Sequence, residues 1–149
     1  MTMQKEAGQP IDEVNFHDGN LLGMFIGDDD QISLFIETIH SGKYTLLLGG
    51  VVRLRATEFL EGNITLDLTV RSGKELSAKL LDELNLVSMH SENMTKLLHK
   101  YKTEEFRIIE MNPSYGCSLL ALCSSAKLAK GVILNEQEQP DAWQDFRAP

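Results

Sequence analysis

Residues 64 to 70 alternate strictly, with Ile64, Leu66, Leu68 and Val70 set against Asn63, Thr65, Asp67 and Thr69, and a period of two demands a strand with one buried face. Val52, Leu54 and Ala56 repeat the pattern against Arg53, Arg55 and Thr57. If the even positions of two antiparallel neighbours share a face, opposed residue numbers sum to an even value, which requires a loop of odd length. Leu60-Glu61-Gly62 supplies one, with Gly62 in the left-handed position that ends such a loop. Upstream, His40-Ser41-Gly42 sets Ile36 opposite Leu46 and Leu34 opposite Leu48. Asp28-Asp29-Asp30, with Asp30 left-handed, sets Ile26 opposite Ile32 and Met24 opposite Leu34. Three turns thus agree on one inward face. The prediction is a four-stranded antiparallel meander over about residues 20 to 71, with Gly49-Gly50 as a bend or bulge in its long third strand. On the outer side this register sets Arg55 across from Asp67 and Phe35 across from Leu47.

One apolar sheet face needs a cover. Leu76, Leu80, Leu81 and Leu84 recur at helical spacing, and Leu97, Leu98 and Tyr101 continue it after a polar break at Ser88 to Asn93, where Ser91 is positioned to cap a second helix. Two further strands are expected at about 105 to 111 and 117 to 126, joined by turn chemistry in Asn112-Pro113-Ser114-Tyr115-Gly116. The predicted class is α+β: an antiparallel meander with one face covered by one or two helices, plus two C-terminal strands. The 149 residues read as a single domain, with polar tails at 1–12 and 135–149.

Composition narrows the function classes. With 14 Lys+Arg against 22 Asp+Glu, the net charge of −8 and the lack of a basic cluster in the sequence argue against nucleic-acid or anionic-membrane binding. The N-terminal stretch has no apolar signal region, and no run approaches the roughly 20 apolar residues of a membrane helix, so a cytoplasmic protein is expected. Cys117 and Cys123 lie six positions apart on a predicted strand, about 20 Å, too far for a disulfide. They alternate in phase with Leu119 and Ala121 and read as small buried hydrophobes.

His17-Asp18 is the most conspicuous polar pair, a candidate base or ligand. Neighbours in an extended chain point to opposite sides, so the pair is read first as structural, with Asp18 accepting backbone N–H groups near Gly19 and Asn20. His40, His90 and His99 form no metal spacing, and Asp28-Asp29-Asp30 lacks the further ligands of a calcium loop. No catalytic set, metal or cofactor is therefore assigned. Ser124-Ser125-Ala126-Lys127 spells the Ser-x-x-Lys pattern of penicillin-recognising enzymes, in a chain without their other motifs.

Phe16-His17-Asp18 heading a meander, Glu61-Gly62-Asn63-Ile64, and Pro113-Ser114-Tyr115-Gly116 together resemble small uncharacterised bacterial domains that open with a Phe-His-Asp motif, some of which look like toxin-immunity proteins. The resemblance spans about residues 14 to 126 and implies a cytosolic binding protein without catalysis. Three readings follow: a protein-binding domain of immunity type, a small enzyme or small-molecule binder using His17 and Asp18, and a self-associating structural domain. The outer meander face carries Leu21, Phe25, Phe35, Ile39, Leu47 and Val51, an apolar patch expected to meet a partner or a second copy in a homodimer. Trp143 and Phe146, three apart in the C-terminal tail, are expected either to anchor a partner or to dock on the domain itself.

Overall fold

The computed structural model describes residues 14–87, 91–134 and 143–146. The chain is mainly β. Among the described residues the elements are β1 (Asn20–Ile26), β2 (Ile32–Thr38), β3 (Gly42–Gly49), β4 (Arg53–Thr57), β5 (Ile64–Ser72), a 3-10 turn (Gly73–Glu75), α1 (Ala78–Glu83), α2 (Met94–Thr103), β6 (Arg107–Tyr115), β7 (Ser118–Cys123), β8 (Ser125–Lys130) and β9 (Gln144–Asp145). The strands form one sheet in the order β4-β7-β6-β5-β1-β2-β3-β8-β9, antiparallel at every pairing.

That order hides a closure. β3 runs into β4 through Gly49-Gly50, and β7 runs into β8 through Ser124, so the two ends of the sheet are one bent ribbon. Ser124 N–H donates to Gly49 O at 3.0 Å and Val52 N–H to Leu122 O at 2.9 Å, carrying the pairing across the bend. Gly50 sits at φ +57, and an added Cβ there or at Gly49 meets the Ser124 or Ser125 hydroxyl. The ring β1, β2, β3–β4, β7–β8, β6, β5 therefore encloses a core. Leu34, Ile36, Leu46 and Leu48 of the first half meet Val70, Ile109, Met111, Leu119, Ala121 and Leu128 of the second.

The first hairpin has the expected register, Ile26 opposite Ile32 and Met24 opposite Leu34, with Asp29 and Asp30 both left-handed. In the second hairpin the face is right and the register is two off. Leu34 lies across from Leu46, Ile36 from Tyr44 and Phe35 from Thr45, because the turn is Ile39-His40-Ser41 with Gly42 (φ +86) opening β3.

The fourth strand of the expected meander is a correction. β4 pairs with β7, placing Leu54 opposite Ala121 and Arg55 opposite Leu120, while Asp67 on β5 lies across from Asn112. Alternation fixes the face a residue occupies but not which strand lies beside it, and Leu119, Ala121 and Cys123 offer β4 the same alternation that Ile64 to Val70 does. Two irregularities in the β5–β6 ladder, an extra residue at Ser114 on β6 and one at Leu66 on β5, also split its pattern. Asn63 and Thr65 are buried while Ile64 and Leu66 are exposed, and the even positions turn inward only at Leu68 and Val70. Pro113 sits inside β6 opposite Thr65 at one of those bulges, a place where a missing N–H is tolerated.

The cover is also different. The inner face of β1–β3 is covered by β5–β8, whereas α1 and α2 pack on the outside of β6 and β7. There Leu76, Leu81, Leu84, Met94 and Tyr101 meet Ile108 and Leu122. Ser77 caps α1 by accepting the Leu80 N–H at 3.2 Å. Ser91 instead accepts the N–H of Asn93, the residue at the N-cap of α2.

The expected C-terminal tail is partly built into the fold. β9 pairs with the outer edge of β8, and Phe146, a candidate interface aromatic, is 6% exposed within the barrel core. Its ring meets Phe16 edge-on at 6.2 Å, and Phe16 meets Tyr44 in the same way at 6.2 Å. Arg107 fastens the segment through both Asp145 carboxylate oxygens, at 2.7 and 3.3 Å, and the Phe146 carbonyl at 3.0 Å. The tail expected over 1–12 and the stretches 135–142 and 147–149 lie outside the described residues.

A buried aromatic replaced by Ala loses its burial energy and leaves a void. Phe146→Ala should cost about 3 kcal/mol, read as a lower urea midpoint with an unchanged slope. An unchanged midpoint would show that residues 143–146 do not belong to the core.

Candidate functional site

The Phe16-His17-Asp18-Gly19 turn sits where β1 meets β5. Gly19 N–H donates to Phe16 O at 2.9 Å, while Asp18 N–H donates to Thr65 O and Thr65 N–H to Gly19 O, both at 2.8 Å. Asp18 is left-handed (φ 60). Phe16 is buried, and a Cβ on Gly19 meets Phe16 O at 2.9 Å and Glu37 O at 2.8 Å. His17 Nδ1 lies 2.7 Å from Leu66 O; a carbonyl only accepts, so Nδ1 carries the proton. Its Nε2 stands 3.5 Å from an Asp18 carboxylate oxygen, with both side chains about half exposed at 55% and 52%. The hydrogen bonds expected of the Asp18 carboxylate are a correction. Asp18 contributes its backbone N–H and a left-handed bend, and no bond from its carboxylate to Gly19 or Asn20 forms.

Asn63 completes the same junction. Its buried Oδ1 accepts the N–H groups of Leu60 (2.9 Å) and Cys117 (3.0 Å), and its Nδ2 donates to Leu60 O (2.8 Å) and Leu21 O (3.4 Å). One amide therefore ties the 58–63 loop, β1 and the β6–β7 turn together. Gly116, at φ +87, is pressed against it, since an added Cβ comes within 2.6 Å of Asn63 Oδ1.

The cysteines offer no nucleophile. Burial pushes the Cys123 thiol up to about 12, against a smaller opposing pull from Arg107, and burial also raises Cys117. Thiolate, the reactive form, is therefore scarce at neutral pH. Among the described residues no group of three His, Cys, Asp or Glu gathers as a metal set.

Two surface features remain. Beyond the Asn20–Ile64 bridge β1 has no strand neighbour on its β5 side among the described residues, so the barrel is open along that seam. Leu22, Met24, Phe25 and Ile26 are exposed there, Phe25 at 47% and Ile26 at 78%. Around the end of β1, a groove of about 310 Å³ is lined by Phe25, Leu47, Leu134 and Trp143 on its apolar side and by Asp28 and Asp29 on its acidic side. The rear wall is the chain itself. Thr45 Oγ1 donates to Gly131 O at 2.7 Å and accepts the Ile133 N–H at 2.9 Å, folding residues 131–134 over the outer face of β3.

The structure accordingly disperses the expected outer patch. Leu21 is in the barrel core, Val51 packs against that core half-buried, and Phe146 lies within it. Ile39 is exposed in the β2–β3 turn, and Phe35 is half-buried opposite Gly23 and Thr45. Phe25, Leu47 and Trp143 do come together, in the groove. Ile133 and Leu134 were missed, although the apolar Val132-Ile133-Leu134 run was the available signal.

A non-Gly residue in the left-handed region carries a cost of roughly 1–2 kcal/mol, which Asp tolerates better than Ala. Asp18→Gly should hold or raise the melting temperature, Asp18→Ala should lower it, and His17→Ala should cost only its bond to Leu66 O. Equal losses for Asp18→Gly and Asp18→Ala would mean that the carboxylate matters rather than the bend. Comparison of the chain with family models, with curated proteins and with solved structures gives no match in any of the three.

Proposed function

We propose that this chain is a non-catalytic protein-binding domain of the immunity type, which takes a cationic protein partner along the open β1 edge and the groove beside it. The observation that carries this reading is the run of exposed apolar side chains on β1, whose β5 side has no strand neighbour beyond Asn20 among the described residues, ending at the acidic Asp28-Asp29-Asp30 turn. Natural sheets usually blunt such an edge with charge, proline or a bulge; β1 has a bulge at Leu22, but Leu22 to Ile26 carry neither charge nor proline, and Met24 to Ile26 continue regularly beyond it. A partner segment laid along it gains main-chain hydrogen bonds, while Phe25 and Ile26 supply apolar contact. The acidic turn and the net charge of −8 favour a basic partner and speed its approach.

The enzyme reading has less support. His17 is tied to Leu66 O at the seam junction and shares its surroundings with Asp18 alone among the ionisable groups it contacts. Self-association remains the second reading, because an open strand edge can pair with its own copy about a two-fold axis.

Affinity capture from the native host with wild type and with the Phe25→Asp/Ile26→Asp variant tests the proposal. Wild type should retain a basic protein, which binds at least about 30-fold more weakly to the folded variant and whose association slows with added salt. If that protein is a toxin, co-expression of wild type but not the variant should neutralise it. Equal binding by both forms overturns the site, and a wild-type dimer that the variant converts to monomer, with no partner lost, selects self-association instead.

A further inference from the structure

A second cavity, of about 300 Å³, lies away from the groove where β5, the 3-10 turn, the end of α2 and β6 converge. Its lining is Arg71, Ser72, Lys74, Lys102, Glu105, Phe106 and Arg107. In a chain of net charge −8 with only 14 Lys and Arg, four cations line one hollow with a single lining carboxylate, and even with Glu110 and Asp145 paired to Arg71 and Arg107 from behind, a local positive excess remains. The sequence hid this because the four are spread over 37 positions and no short window is basic.

The walls are set before any ligand arrives. Gly73 N–H donates to Phe106 O at 2.6 Å, and a Cβ on Gly73 would collide with that oxygen, so the turn is pressed onto the chain entering β6. Phe106 stacks edge-on against Tyr101 with centroids 4.9 Å apart. Arg107 is held by Asp145, Ala126 O and Phe146 O, so it supplies charge from a fixed place and has few N–H groups to spare.

The other cations are freer. Arg71 pairs with Glu110 at 3.1 Å, but its Nε–H is buried without an acceptor, an unmet donor that a small swing of the guanidinium towards an oxyanion would satisfy. Lys74 and Lys102 have no ion-pair partner among the described residues. Two flexible ammonium groups and one guanidinium around a hollow with an aromatic wall suit a doubly charged, oxygen-rich head group more than a single carboxylate.

We infer that this cavity is a binding site for a phosphate group, either free phosphate or the phosphate monoester of a small molecule whose body rests against Phe106. Lys74 and Lys102 hold the oxygens as point charges, Arg71 adds directional N–H bonds, and Arg107 sets the background potential. The site does not depend on the proposed protein-binding edge, and no covalent step is involved.

Titration with sodium phosphate, against sodium chloride and sodium acetate at matched ionic strength, tests the inference through backbone amide NMR shifts. Phosphate should give saturable shifts confined to residues around 71–74 and 102–107, with chloride and acetate giving small, non-saturating ones. Lys74→Gln/Lys102→Gln, both on exposed or half-exposed positions, should keep the folded spectrum and weaken phosphate at least tenfold. A small phosphate monoester with an aromatic body that binds more tightly than phosphate, and loses that gain in Phe106→Leu, identifies the monoester as the ligand, whereas equal affinity identifies free phosphate. Phosphate shifts no larger than those of chloride, equal saturation by acetate, or binding that survives in the double variant overturns the site.

Discussion

The amide of Asn63 is the interaction on which the rest of this barrel depends. It is buried, and its four hydrogen bonds reach the loop before β5, the first strand and the turn between β6 and β7. Each bond is worth only about 1 kcal/mol net, but a buried N–H left without an acceptor costs about 1–3 kcal/mol, so removing the side chain strands Leu60 and Cys117 together. Satisfied at every point, such a network fixes one arrangement and excludes slipped ones. Gly116 and Gly19 serve the same junction by leaving room for the backbones it draws together.

Closure at that point explains what stays open. The Phe16–Gly19 turn and Asn63 join β1 to β5 over a few residues, after which the two strands separate and Leu22 to Ile26 have β2 on one side and no strand neighbour on the other among the described residues. On the far side the bend at Gly49-Gly50 and Ser124 lets one ribbon belong to both halves of the barrel, so that the first and last strands of the ring need pair only briefly. The groove and the cationic cavity both lie on the outside, the first where residues 131–134 fold back over β3, the second where the 3-10 turn and the end of α2 meet β5 and β6.

Much of the local structure was legible in the sequence because it is decided locally. Asp28-Asp29-Asp30 fixed the first hairpin through left-handed residues, and the strand faces of β2, β3 and β4 followed from alternation. Strand order was not legible, since Leu54 and Ala56 match Leu119 and Ala121 as well as they match β5. The irregularities beside which Ile64 and Leu66 face outward lie in the ladder with Pro113, opposite Thr65 and 48 positions away in the chain, so β5 alone did not announce them. The groove was half legible. Phe25, Leu47 and Trp143 were candidates on apolar character, whereas the role of Thr45 as the clamp for residues 131–134 is a tertiary contact with no local trace.

Native-state hydrogen exchange of the Leu21, Leu60, Thr65 and Cys117 amides tests the central claim most directly, because each of these N–H groups is held at the Asn63 junction. If closure there holds the barrel together, all four exchange only through global unfolding, with the full denaturant dependence of the whole domain. Exchange of these four by small local openings insensitive to urea, while the amides of β2 and β3 stay protected, would contradict it and would make Asn63 a detail of one loop.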